Sequence, residues 1–208
     1  MVVTNAPAAD KNGSKEGTAR SFIAASEILV NPDIARVYTD ILLNQPTTNS
    51  SIERRLDLAG STTSMRVGKL KNLDIVEDVS SGKESQLRTD SLLLPVGEGE
   101  TRILFDPLTI AAYGASGEVS EIELFVDRHG KAKLLMAVEQ TRAYLSGEVT
   151  RRGAADRLNV DEIEAISITQ ALEPIIALFV KAGLIDDSFE HDVHDRKIRN
   201  TPYVFEQE

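Results

Sequence analysis

The sequence predicts a mainly α-helical chain with one small β-hairpin, and three observations predict it. Apolar residues recur at spacings of three and four over most of its length. Asn31-Pro32 and Asp106-Pro107 each set a side-chain cap before a proline at the first helical position. The polar turn Ser80-Ser81-Gly82-Lys83 separates two stretches of strand character, Ile75–Val79 and Glu84 to about Leu94.

Composition bounds the possibilities. With 208 residues, 41% of them hydrophobic, the chain can build one large domain or two small ones. It has no cysteine, which excludes a disulfide framework, thiolate chemistry and a cysteine zinc site. No apolar run reads as reaching the length of a bilayer and the N-terminus lacks an apolar signal core, so a cytoplasmic location without membrane contact is expected. The formal charge is −10, unevenly spread: residues 1–105 hold 12 basic and 14 acidic side chains, and residues 106–208 hold 11 and 19.

Taken in order, residues 1–20 contain almost no bulky apolar side chain, and 1–26 is expected to be a flexible arm. Phe22 to Val30 is apolar enough for a short helix. After the Asn31-Pro32-Asp33 start, Ile34, Val37, Tyr38, Ile41 and Leu42 give a helix that Pro46 stops.

The next thirty residues carry the chemistry. Ile52 and Leu56 share one helix face, and Val67, Leu70 and Leu73 give a second helix its inward stripe. Between them Leu58-Ala59-Gly60-Ser61 supplies an anchor, a bend and a serine or threonine cap. This is the grammar of a helix-turn-helix, whose second helix enters the DNA major groove. At 100° per residue, Thr62, Met65, Arg66, Lys69 and Asn72 turn outward, a set suited to base edges and phosphates. Segment 51–72 carries five basic residues against two acidic ones, +3 in a chain of −10. The expected DNA-facing residues are Arg54, Arg55, Ser61, Thr62, Thr63, Met65, Arg66, Lys69, Lys71 and Asn72. Lys83 at the hairpin tip and Arg88 on its return strand join them as phosphate contacts. The plainer reading is a solvated helix pair with ordinary surface charges.

The segment resembles the winged helix-turn-helix domain of archaeal and bacterial transcriptional regulators, and most closely haloarchaeal ones. Their reading helix typically ends in L-x-x-L-x-x-x-G-L-V ahead of the wing. Here the corresponding residues are Val67-x-x-Leu70-x-x-x-Asp74-Ile75-Val76, with Val for the first Leu and Asp for Gly. Asp74 fits because Asp can enter the left-handed conformation that closes a helix. The resemblance spans roughly residues 27–105. It implies a winged helix-turn-helix unit at 27–105, with reading helix 62–73 and wing 75–94, followed by a helical C-terminal domain at 106–185 for dimerisation or sensing.

Gly97-Glu98-Gly99-Glu100 is expected to be a turn before a strand at Thr101–Phe105; two carboxylates exclude a phosphate loop. In the second half, Val119, Ile122, Phe125 and Val126 lie on one helix face, which His129-Gly130 ends or interrupts. Leu134, Leu135, Val138 and Leu145 continue the apolar pattern. Thr150-x-x-x-Ala154-Ala155-x-x-Leu158-x-Val160 repeats a helix-turn-helix opening. The helix after it begins Asp161-Glu162-Ile163-Glu164, which repels phosphates, so a structural copy is expected. Ile175, Ile176, Leu178, Phe179 and Val180 after Pro174, together with Leu134, Leu135 and Val138, are expected to form core or the contact of a homodimer. Residues 186–208 read as a polar tail. Glu190, His191, Asp192, His194 and Asp195 in it are expected to be solvated rather than to bind metal.

These observations favour a transcriptional regulator binding double-stranded DNA as a homodimer. The competing reading is a protein–protein adaptor on the same scaffold. No nucleophile–base spacing, phosphate loop or structured His–carboxylate pair supports an enzyme, and no cofactor is expected.

Overall fold

The computed structural model describes residues 15–82, 85–96, 103–185, 201–204 and 206. Among these the chain is mainly helical, with eight helices and two small antiparallel sheets of two strands each. The helices are α1 (Lys15–Ile28), α2 (Pro32–Leu43), α3 (Asn49–Leu56), α4 (Gly60–Asn72), α5 (Pro107–Ala115), α6 (Ser120–Leu145), α7 (Arg151–Leu158) and α8 (Glu162–Lys181). The strands are β1 (Val76–Asp78), β2 (Leu87–Thr89), β3 (Leu94–Val96) and β4 (Ile103–Phe105).

The capped starts appear where their side chains place them. Asn31 accepts from the Asp33 backbone N–H at 2.8 Å and opens α2, and Asp106 accepts from that of Thr109 at 2.8 Å and opens α5. The two helices pack against each other. Ile34, Val37, Tyr38 and Ile41 of α2 are almost fully buried, as are Leu108, Ile110 and Ala111 of α5. Among the described residues one apolar cluster includes side chains from every helix, α1 through α8.

Three local expectations change. The flexible arm gives way at Lys15, where α1 begins, and Ala24, Ala25 and Ile28 bury its inner face. That face is built largely of small residues, so its hydrophobic signal in the sequence is weak. Residues 1–14 lie outside the described residues. The return strand expected over Glu84–Leu94 divides in two: β2 pairs with β1 (Glu77 opposite Arg88), while Leu94 begins β3 and pairs with Phe105 of β4. The third change is in α8, which at 20 residues and mean hydropathy 1.6 is long and apolar enough to cross a membrane, against the sequence expectation. Here 61% of its apolar stretch is buried within the chain.

The repeated opening at Thr150 takes the form expected of a structural copy. Thr48 caps α3 and Thr150 caps α7; both helices have eight residues and both end on a left-handed residue, Asp57 (φ 52°) and Asn159 (φ 49°). Ile175, Ile176, Leu178 and Phe179 close the chain's own core at 1% exposure each, with Val180 packed against it, so they do not offer the expected dimer surface. Leu134, Leu135 and Val138 are likewise interior.

Candidate nucleic-acid interface

The helices α3 and α4 are joined by three residues, Asp57, Leu58 and Ala59. Asp57 takes the left-handed conformation and Leu58 donates its backbone N–H to Glu53 at 3.2 Å, which turns the chain sharply out of α3. Ile52 and Leu56 on one side, Val67 and Leu70 on the other, are buried and form the apolar seam. The expected side-chain cap is absent. Ala59 occupies the N-cap position, so α4 begins without a side-chain hydrogen bond and Ser61 lies inside the helix. At the other end Asp74 is left-handed (φ 55°), as its substitution for glycine requires, and Ile75 donates to the Leu70 carbonyl at 3.1 Å. The chain then enters β1 directly.

Outside the seam, α4 presents Ser61, Ser64, Met65 and Asn72 to solvent, with Thr62 partly so; Met65 is 58% exposed. Its three cations are half-buried and each meets a carboxylate. Arg66 lies 3.4 Å from Asp33, Lys69 lies 2.6 Å from Glu27, and Lys71 lies 3.1 Å from Asp78. Asp78 also accepts from Ser85 and from Ser80, and these bonds, with Lys71, hold its carboxyl well below the usual range. On the hairpin, Arg88 is exposed at the centre of β2 while Leu87 and Thr89 face inward. Lys83 lies outside the described residues.

Two expected contacts are not surface residues. Thr63 is fully buried, because its position on α4 precedes Val67 by one turn and so shares the inward stripe. Arg55 has a side chain only 4% exposed. Its Nε and Nη2 donate to the two Asp40 oxygens at 2.8 and 2.7 Å, and Nη2 also reaches the Thr47 hydroxyl at 2.6 Å. Burial raises the Asp40 pKa even though Arg55 opposes it; Arg55 is itself raised, because Asp40 and Glu206 outweigh the burial that would lower it. Arg54, one residue earlier, is 69% exposed.

Sequence reasoning missed the groups from the chain's end that close over this region. Tyr203 is 3% exposed, and its hydroxyl donates to the Ala111 carbonyl of α5 at 2.7 Å. Asn44, after α2, donates to the Val204 carbonyl at 2.8 Å and accepts from the Glu206 backbone N–H at 2.9 Å. The Glu206 carboxylate reaches Arg55 Nη1 at 2.9 Å and Arg54 Nη2 at 3.7 Å. The available signal was the run Tyr203-Val204-Phe205, apolar and aromatic at the end of an otherwise polar tail. The His191 and His194 cluster lies outside the described residues, and no group of metal-ligating side chains occurs among those described.

A family of unknown function, DUF7437, matches residues 116–181, from the turn before α6 to the end of α8. Neither a curated protein nor a solved structure matches the chain. The family match therefore covers α6, α7 and α8 within the acidic second half and leaves α1 to α5 and both small sheets outside it.

Proposed function

We propose that this protein is a sequence-specific, DNA-binding transcriptional regulator of the winged helix-turn-helix type, with α4 as the reading helix and the β1–β2 hairpin as the wing. One observation carries the reading. A helix, a three-residue turn, a second helix and a hairpin follow in unbroken order, and the outer row of the second helix is left without apolar cover. That row combines hydroxyl, amide, thioether and cationic side chains, which suit base edges and phosphates. In a helix-turn-helix the first helix crosses the DNA backbone, and α3 brings Arg54 to the surface. The protein works in the cytoplasm as a homodimer on a two-fold operator, its second half serving for pairing or sensing.

The intramolecular carboxylates on Arg66, Lys69 and Lys71 favour a second reading, a protein–protein adaptor on the same scaffold. These pairs are half-buried, so phosphates must compete with Asp33, Glu27 and Asp78 for the three cations. A salt series separates the two readings. Binding to random duplex DNA should weaken log-linearly with salt, with a slope of about −0.9 for each phosphate engaged. Absence of duplex binding at about 50 mM salt would leave the adaptor as the better account.

A further inference from the structure

The end of the chain closes over the one place on α3 where two arginines stand side by side. Arg55 is oriented from behind: Asp40 takes Nε and Nη2, Thr47 shares Nη2, and only Nη1 is directed outward. Arg54 stands beside it with most of its side chain in solvent. Such a pair, one guanidinium held from behind and one exposed, is a fitting cradle for an oxyanion. In this structure the Glu206 carboxylate lies in the cradle, one oxygen 2.9 Å from Arg55 Nη1 and the other 3.7 Å from Arg54 Nη2. Glu206 is put there by its neighbours, through the Asn44 bonds to Val204 and Glu206 and through buried Tyr203.

We propose that Arg54 and Arg55 form a phosphate-binding site on α3, and that the chain's own C-terminal Glu206 occupies it in competition with a backbone phosphate of duplex DNA. The Glu206 carboxylate stands in for the phosphate oxygens. Its own side chain is 48% exposed and its partner Arg54 is 69% exposed, so an external anion can reach the contact from solvent. Arg55 need not move to take the new partner, because Asp40 and Thr47 already hold it. The C-terminal strap is thereby an autoinhibitory contact that lowers affinity for nucleic acid until phosphate displaces it. This inference rests on the DNA-binding reading above.

The test compares full-length protein, Glu206→Gln and the double variant Arg54→Gln/Glu206→Gln on a labelled random duplex between about 50 and 200 mM salt. Inorganic phosphate is titrated separately, followed by the amide NMR shifts of Arg54 and Arg55. Glu206→Gln should bind the duplex several-fold more tightly, with a salt slope steeper by about one for each arginine released. The double variant should lose that gain. Glu206 and Arg54 are surface groups, so thermal midpoints should stay near wild type and any change in binding is not a folding effect. Equal affinity and slope for wild type and Glu206→Gln would overturn the strap while leaving DNA binding intact. Duplex binding by none of the proteins would overturn both. Tight phosphate binding without a gain on duplex would show an anion site that nucleic acid does not use, and would also overturn the proposal.

Discussion

At the residue scale, neighbouring positions on one helix have opposite fates. Arg54 and Arg55 are adjacent and chemically identical, yet one is solvated and the other is locked against Asp40. A step of 100° around α3 decides which points to α2. Arg66 is the α4 cation best suited to base reading, since its guanidinium can bind a guanine edge with two bonds. Replacing it with Ala should weaken operator binding by about 1–3 kcal/mol and relax preference at one base pair. Competition binding against single-base operator variants measures both effects, and wild-type behaviour would remove Arg66 from the reading set. A second prediction concerns buried phenols. Tyr38 donates to the Asp90 carbonyl and accepts from the Leu92 N–H, Tyr203 donates to Ala111, and burial raises both hydroxyls well above the usual tyrosine value. A raised folded pKa contributes stability that is complete below the unfolded value, about 10, and is lost as pH rises toward the folded one. Stability should therefore fall above pH ~10 by up to about 1.4 kcal/mol per pH unit for each phenol. Tyr203→Phe should show a shallower decline in alkaline melting experiments than wild type.

At the scale of elements, two glycines decide how helices meet and bend. A methyl group on Gly114 of α5 would lie 2.5 Å from the Tyr203 hydroxyl oxygen and 2.9 Å from the Arg36 backbone nitrogen of α2. No glycine-free α5 could approach α2 this closely. Gly114→Ala should cost about 1–3 kcal/mol, read as a lowered thermal midpoint. Adding Tyr203→Phe should recover only part of it, because the Arg36 backbone remains in the way. Gly130 interrupts α6 with φ 79° and ψ 169°, a conformation essentially confined to glycine. Gly130→Ala has open space for its methyl group, so any loss, expected at about 1–3 kcal/mol, reports backbone strain alone. Much of this was legible: caps at Asn31 and Asp106, and the left-handed Asp74, are local chemistry that a sequence displays. The split of the return strand was not legible, since β3 finds its partner only across the segment leading to β4.

At the scale of the whole molecule, charge and packing divide the labour. The acidic second half contains α7 and α8, whose turn copies that of α3 and α4 while its first residues, Asp161, Glu162 and Glu164, repel phosphate. A cleft of about 580 Å³ lies between α6 and α8, with Leu124 at 49% and Ile163 at 78% exposure on its rim. With Ile175 to Phe179 committed to the interior, these two are the apolar residues of this half best placed for pairing. The homodimer proposed above should appear in light scattering of the full chain at tens of micromolar, and Ile163→Glu should convert it to monomer with unchanged helicity. A monomeric wild type would remove the dimer from the proposal.

What the sequence determined by itself is whatever depends on neighbours within a turn or two. That covers the helical class, the capped starts, the order helix–turn–helix–hairpin, and the polar outer row of α4. These follow from periodicity and backbone preference, which act over a few residues. Only the tertiary structure decided that Arg55 turns inward, that α1 begins at Lys15, and that Ile175 to Phe179 are core rather than interface. It alone brought Tyr203 and Glu206 back onto helices more than 90 residues away in sequence. Burial and long-range ion pairing depend on which surfaces the folded chain brings together, and no local pattern encodes that.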